Sequence, residues 1–345
     1  MALNRIEWRG DRSVERTRER GGANRYGARA TSSLSPGSSA AEPDVSASVR
    51  LFPAYAAWVR DDANETVRLL RLVAGSVGNV PEPERRQLYL RLGTMYAAIG
   101  RLREAALAIE AARPVDRTDQ ANTIALDLER AALYTDAGDL SGLRTFAERW
   151  WREPLPDAGP ALLARRVPYL VEAGMLDVAE RDIQWFKQRT AKTSEWAPRV
   201  QTRQFEPFYA SNKAAIALKR GQSAAAVDVL REQLPVLRDG PRWLFGPAGA
   251  HTFFVTMQLA DALAAKGNLS DAIATLEETV DDRVALISSN TPNRWLRANA
   301  QLASLYRRNG KEDRARAIEA RLLKLLAHAD ADRPLAAQMK ARLTH

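Results

Sequence analysis

Six glycines recur along this chain at intervals of about 40 residues, and they constrain its fold more than any other feature. A small residue (valine in one copy) lies seven positions before each of them, and five of the six have alanine five positions after them. Glycine adopts a positive φ without steric cost and so ends helices, while small side chains let two helix backbones approach closely. The pattern therefore predicts helical hairpins that turn at Gly100, Gly138, Gly174, Gly221, Gly267 and Gly310.

The clearest copy lies in residues 89–114. Its first helix carries an aromatic-x-x-Leu-Gly-x-x-Tyr run, and its second helix carries a small-x-x-x-large pair. The residues concerned are Tyr89, Leu92, Gly93, Tyr96, Ala105 and Ile109. This pattern resembles the tetratricopeptide repeat, a two-helix unit of about 34 residues. The resemblance implies a stack of hairpins, because one hairpin cannot bury both of its apolar stripes alone.

We therefore expect an all-α fold, a right-handed superhelical solenoid of about seven tetratricopeptide-like hairpins followed by a C-terminal capping helix. The cap is expected at residues 332–343, within a repeat domain that covers residues 50–345. The hairpins are expected at about 51–76, 84–114, 123–150, 160–189, 206–234, 252–280 and 293–325.

Residues 1–49 have a different composition from the rest of the chain. They combine arginine with a tract rich in Ser, Pro and Gly, and they hold almost nothing that a core could bury. We expect a disordered basic arm. It is interpreted either as a segment that contacts nucleic acid or acidic partners, or as an unstructured extension or a wrongly assigned start.

The C-terminal half resembles a narrower group of repeats. Residues 267–280 (GNLSDAIATLEETV) and 306–335 are similar to the tetratricopeptide tails of bacterial regulatory proteins that also carry kinase or winged-helix domains. Neither domain is present in this sequence. The resemblance implies a regulatory protein of bacterial origin.

Charge and composition exclude several classes of function. The net charge is +9, but acidic residues are mixed with the arginines, which favours solvated helix faces over a dedicated anion site. The absence of cysteine excludes disulfides, thiolate zinc sites and a cysteine nucleophile. No signal peptide is visible, and the longest uncharged run, residues 243–260, is broken by Gly-Pro and carries polar side chains. We expect a cytoplasmic protein without a membrane span.

Catalytic motifs are missing as well. No phosphate-binding, dinucleotide-binding, nucleophile-elbow or zinc-protease motif occurs. His251, His328 and His345 lack the spacing of metal ligands. We expect no catalytic residues, no metal and no cofactor. A hidden catalytic site remains an alternative that would show itself as shifted carboxylates or histidine in a pocket.

The expected function is that of a protein–protein interaction scaffold, which holds a peptide or helix of its partner on the concave face lined by the first helices. The register of the resemblance places three groups of side chains there. They are Phe208, Ser211 and Asn212 of the fifth hairpin, Phe254, Met257, Gln258 and Asp261 of the sixth, and Arg297, Gln301, Ser304 and Arg308 of the seventh.

Two alternatives stay open for this surface. Phe208, Phe254 and Met257 are equally well interpreted as core between repeats. Trp243 and Phe245, in the loop before the sixth hairpin, either fold over the groove or fill a gap between repeats. The alternative function is a nucleic-acid-associated module that uses the basic arm and arginine-rich helix faces.

Overall fold

The computed structural model describes residues 47–82, 84–113, 120–151, 160–194, 200–238, 250–281, 283 and 292–343. Those residues form fifteen α-helices and two 3-10 turns, and they contain no β-strand. The predicted all-α class is confirmed.

Fourteen of the helices pair into seven hairpins. The first helices are α1 (Ala47–Val59), α3 (Glu84–Ala98), α5 (Gln120–Ala137), α7 (Pro160–Glu172), α9 (Val200–Lys219), α11 (Ala250–Ala265) and α13 (Pro292–Arg308). The second helices are α2 (Ala63–Ser76), α4 (Leu102–Ala111), α6 (Leu140–Trp150), α8 (Leu176–Ser194), α10 (Ser223–Arg238), α12 (Leu269–Val280) and α14 (Glu312–Leu325). The 3-10 turns are Val77–Asn79 and Leu326–His328, and the capping helix α15 (Pro334–Leu343) follows the second of them.

The hairpins turn where the sequence predicts. All six turn glycines have φ between 71° and 85°, and in the first hairpin Asp61 takes the equivalent conformation with φ of 60°. Asp is among the few residues other than glycine that tolerate it. The residues at the predicted helix-crossing positions are all buried, and all but Val167 and Leu143 are glycine or alanine. They are Gly93, Ala105, Ala131, Leu143, Val167, Ala179, Ala214, Ala226, Ala260, Ala272, Ala303 and Ala315.

Helix bounds differ from the sequence-based expectation in two places. Helix α1 begins at Ala47, inside the segment expected to be a disordered arm. The chain between the fourth and fifth predicted hairpins, residues 190–205, is helical at both ends, because α8 continues to Ser194 and α9 begins at Val200. Its only helix-breaking residue is Pro198, so nothing in the flanks stops either helix. Residues 1–46, Pro114, Trp243, Phe245 and His345 lie outside the described residues.

The array closes on itself. Consecutive hairpins pack in sequence order, and α13 of the seventh hairpin also contacts α3 and α5 of the second and third. The Leu326–His328 turn packs against α2. One continuous apolar core therefore runs from Leu51 in the first hairpin to Met339 in the cap. The handedness of the superhelix stays a prediction.

A tryptophan pair and an arginine hold the first and last hairpins together. The Trp58 and Trp295 rings meet edge to face with centroids 5.9 Å apart. The Arg283 guanidinium lies 4.0 Å from the first ring centroid and 4.3 Å from the second. Arg283 also donates to the backbone carbonyls of Trp58 and Val59 and to the Asp61 carboxylate. A cation between two aromatic faces is an attractive arrangement, strongest when water is excluded.

Candidate functional site

Closure of the array turns the first helices toward a narrow interior. Helix α13 crosses that interior and forms polar contacts with the third and fourth hairpins. The Asn293 side-chain amide donates to the Asp136 carboxylate at 2.9 Å, and Arg297 Nη2 lies 3.0 Å from Glu172 Oε1. Arg294 Nη2 lies 3.3 Å from the Tyr169 hydroxyl. The helix that was predicted to contribute groove residues thus occupies much of the inner face itself.

Little free space remains at this crossing. The cavity lined by Asp136, Tyr169, Phe254 and Arg294, among others, measures about 10 Å³. A single water molecule needs about that volume. A peptide or substrate therefore cannot enter here while the array is closed.

The three candidates of the fifth hairpin lie in the packing between the fourth, fifth and sixth hairpins. Phe208 is buried, with its ring centroid 4.1 Å from that of His251. The Asn212 side-chain amide donates to the Ala164 carbonyl at 2.9 Å. The interpretation of Phe208 as inter-repeat core fits this position, and the partner-binding role of these residues stays a prediction.

Ser211 and His251 form a contact that no sequence pattern predicts. The hydroxyl oxygen of Ser211 lies 2.6 Å from His251 Nε2. This distance resembles that of a nucleophile and its general base. Both residues are buried, however, and burial lowers the pKa of His251 to about 3, so the ring is neutral. The pair is interpreted as a packing contact, since both side chains are removed from solvent.

Phe254 and Met257 are half-buried on the inner side of α11. The Phe254 ring stands edge to face against Tyr169 with centroids 5.5 Å apart, and the Arg294 guanidinium lies 4.1 Å from its centroid. These contacts join the sixth hairpin to the fourth and the seventh. Phe254 therefore packs within the array.

The remaining candidates form an accessible strip on two neighbouring helices, α11 and α13. Gln301 Nε2 donates to Asp261 Oδ1 at 2.6 Å and to the Met257 carbonyl at 3.1 Å. Arg308 Nη2 donates to the Ala264 carbonyl at 3.0 Å. Asp261 and Arg308 are exposed, and the others are partly exposed. We call this surface the rim strip, and its members are Gln258, Asp261, Gln301, Ser304 and Arg308.

The interior changes the proton affinity of its carboxyl groups. Burial raises the pKa of Asp136, against the opposing effect of the guanidiniums of Arg297 and Arg333. At the rim, the surrounding protein displaces bulk water from Asp261 and raises its pKa to about 6. The Gln301 hydrogen bond opposes that shift, and the Glu172 carboxylate adds to it. Asp136 lines the small cavity at the crossing, whereas Asp261 lies on the open rim strip.

Sequence reasoning missed the residues that close the interior. Asp136, Tyr169, Glu172 and Asn293 carry no motif, and their partners lie more than 100 residues away in the chain. In the described parts of the chain, no group of three or more His, Asp or Glu is placed to hold a metal ion. Nor does any described helix combine the length and the apolar character that crossing a membrane requires.

Of three comparisons with known proteins, one gave matches, and those matches are to solved structures. The sequence matches no protein-family model, and comparison with curated proteins gave no match. Twelve chains of solved structures match this one. Among them is the crystal structure of a tetratricopeptide repeat protein from Parabacteroides merdae, which is 14% identical, with a TM-score of 0.37. The match covers 86% of this chain and 98% of that chain. The tetratricopeptide-like fold follows from the turns and packing of this chain itself.

Proposed function

We propose that this protein is a non-enzymatic interaction scaffold that binds a peptide or helix of a partner protein through the rim strip. The observation that carries the proposal is the hydrogen-bonded pairing of α11 and α13. It places Asp261, Gln301 and Arg308 side by side at an edge of the inner face that stays open to solvent. A regulatory role in the bacterial cytoplasm is part of the same proposal.

Arg308 defines the chemistry that the strip would recognise. Its guanidinium carries five N–H donors in a planar fork, and only the contact with the Ala264 carbonyl uses them among the described residues. The remaining donors can bind a carboxylate in the bidentate manner that arginine favours. Gln258 and Ser304 add neutral hydrogen-bonding groups beside it. A partner segment with at least one carboxylate therefore fits this surface.

The buried candidates have an indirect part in this proposal. Phe208, Ser211, Asn212 and Arg297 fix the helices that carry or support the rim strip. Direct contact between a partner and these side chains would require the array to open.

Selection of binding peptides tests the proposal. A displayed random-peptide library is panned on the full chain, and the affinities of the selected peptides are measured for the wild type, Arg308→Glu and Lys324→Glu. Lys324 is an exposed cation on α14, away from the inner face, and controls for the change in net charge. We expect acidic peptides that bind Arg308→Glu roughly tenfold more weakly and Lys324→Glu nearly as well as the wild type. Peptides whose affinity is insensitive to Arg308→Glu would rule out the rim strip.

The nucleic-acid alternative rests on residues 1–49, nearly all of which lie outside the described residues. It is tested by capturing partners from cell lysate with residues 1–345 and with residues 50–345, with and without nuclease. If the captured partners require residues 1–49 and are lost on nuclease treatment, the scaffold proposal is wrong and the basic arm is the functional element.

A further inference from the structure

A second accessible groove lies between the fourth and fifth hairpins. It measures about 520 Å³, within the range of ligand-binding pockets. The walls are the N-terminal half of α8 and the C-terminal half of α9. We call it the side groove. It lies on a different side of α9 from Ser211 and Asn212, which face the inter-repeat packing, and it is separate from the rim strip.

The floor of the side groove is aliphatic. Ile183 and Ile216 lie beneath it and are 3% and 4% exposed, and Ala217 between the two walls is half-buried. An apolar side chain that enters the groove would pack against these residues and bury its surface away from water. Burial of apolar area contributes about 25 cal/mol per Å².

The edges of the side groove are basic. Lys213 is exposed, and its ammonium lies 5.5 Å from the Tyr209 ring centroid. It forms no ion pair with a carboxylate of the described residues. Arg181 and Arg220 also line the groove, with Glu180 as the single carboxylate. Even with Arg181 left out of the count, Lys213 and Arg220 outnumber Glu180, so the edge of the groove carries an excess of positive charge.

The ion pair between Arg220 and Glu180 at this edge is easily exchanged. Arg220 Nη1 lies 2.7 Å from Glu180 Oε1, and the two side chains are 45% and 47% exposed. Pairs this exposed contribute about 0–1 kcal/mol. A carboxylate from another molecule can therefore take over Arg220 at little cost to the fold.

We infer that the side groove binds an acidic peptide segment in which an apolar side chain lies between carboxylates. The apolar residue rests on Ile183 and Ile216, and the carboxylates pair with Lys213 and Arg220. A single-stranded nucleic acid suits the site less well, because such ligands stack their bases on aromatic side chains. The floor here is aliphatic, and Tyr209 is flanked by the ammonium groups of Lys187 and Lys213. This inference holds or fails independently of the rim strip.

Fluorescence anisotropy with the full chain tests the site. The probes are a fluorescein-labelled pool of short peptides with Asp or Glu around one Leu or Ile, a matched pool with Lys or Arg in place of the acids, and a labelled oligothymidine. The variants are Lys213→Glu and Arg220→Glu. The matched control is Lys219→Glu, an exposed cation on the same helix that does not line the groove. Thermal unfolding confirms that each variant is folded.

The side groove predicts that the acidic pool binds more tightly than the basic pool. It also predicts that Lys213→Glu and Arg220→Glu each weaken this binding roughly tenfold, whereas Lys219→Glu changes it less than about twofold. Equal losses in all three variants would show a general charge effect and overturn the site. Arg308→Glu is measured beside these variants, and a loss of binding in Arg308→Glu without one in Lys213→Glu would assign the binding to the rim strip instead. Preferential binding of oligothymidine that Lys213→Glu abolishes would overturn the peptide assignment.

Discussion

Asp330 caps a helix that lies 227 residues away in the chain. Its carboxylate Oδ2 accepts the backbone N–H of Arg103 at 3.1 Å, in the first turn of α4. The residue that precedes this helix, Arg101, provides no side-chain cap of its own. The backbone N–H of Asp330 also donates to the Gly100 carbonyl at 3.1 Å. The segment after α14 thus completes the second hairpin and closes the array.

We expect Asp330→Ala to lower the free energy of unfolding by about 1 kcal/mol, the usual cost of losing an N-terminal cap. Asp332 supplies the matched control, since it pairs with Arg103 only through side chains that are 59% and 41% exposed. Asp332→Ala should cost less than about 0.5 kcal/mol. Urea unfolding measures both. Equal costs for the two substitutions would show that the cap contributes nothing beyond a surface ion pair.

Substituting Arg283, which also holds the array closed, should lower the free energy of unfolding by more than Asp330→Ala does. Its guanidinium is 5% exposed and is held between Trp58 and Trp295. Arg283→Ala removes both stacking contacts and the hydrogen bonds to the Trp58 and Val59 carbonyls and the Asp61 carboxylate, so we expect a loss of about 2–4 kcal/mol. Arg283→Lys keeps the charge but not the planar fork and should lose about half as much. Tryptophan fluorescence during urea unfolding reports the transition.

The control for Arg283 is Arg321, which pairs with the same Asp61 carboxylate at 2.8 Å but is 47% exposed. We expect Arg321→Ala to cost less than about 1 kcal/mol. If Arg283→Ala were no more destabilising than Arg321→Ala, the first and last hairpins would not depend on this clamp.

The sequence predicts the hairpins because each one depends on local, repeated requirements. A turn such as that at Gly267 needs a positive φ, and a crossing such as that of Ala260 with Ala272 needs small side chains, so the same spacing returns in every copy. The repeat register also predicts which helix face carries Asp261 and Arg308. It cannot predict whether that face is covered, which is why the burial of Phe208 was left open. Closure depends on single contacts such as Arg283 with Trp58, which have no periodic signature.

Gly93 tests the close approach of two helices that the sequence predicts. A Cβ at this position would lie 2.7 Å from Ile109 Cγ1 and 3.3 Å from the Ala105 carbonyl oxygen. We expect Gly93→Ala to destabilise the protein by about 1–3 kcal/mol through overpacking. Combining it with Ile109→Ala should cost less than the sum of the two single changes, since the second change removes the clash.

Gly75 provides the control for this prediction. It lies in α2, and no atom lies within 4 Å of a Cβ placed there. Gly75→Ala should raise stability by about 0.5–1 kcal/mol, because alanine loses less backbone freedom in a helix. Additive costs of Gly93→Ala and Ile109→Ala would contradict the crossing as described.

His251 makes the stability of the protein depend on pH. Burial lowers its pKa to about 3 in the folded state, and nearby guanidiniums of Arg294 and Arg165 act in the same direction. In the unfolded chain, histidine has its ordinary pKa of about 6.5. The neutral ring therefore stabilises the fold fully above pH 6.5, and this contribution is lost as the pH falls through 6.5 toward 3.

The measurement compares the wild type with His251→Gln by urea unfolding at pH 7.5 and pH 4.5. Glutamine can keep a hydrogen bond to Ser211 but does not titrate. Between the two pH values, we expect the wild type to lose about 2 kcal/mol more than the variant. Parallel losses would show that His251 is not buried in its neutral form.

Asp261, in the rim strip, also makes stability depend on pH, but it destabilises the fold at high pH, whereas His251 does so at low pH. Its pKa is raised to about 6 by the surrounding protein, so the ionised carboxylate is disfavoured in the folded state. Above pH 6 this ionisation destabilises the fold, and below pH 4 the effect disappears because the carboxyl is neutral in both states.

Asp261→Asn keeps an oxygen for Gln301 and removes the charge. We expect the variant to be more stable than the wild type by about 1 kcal/mol at pH 7.5, a value reduced for the exposure of the side chain. The advantage should vanish at pH 4 in urea unfolding. An advantage of the same size at both pH values would mean that the substitution acts through packing rather than through the charge of Asp261.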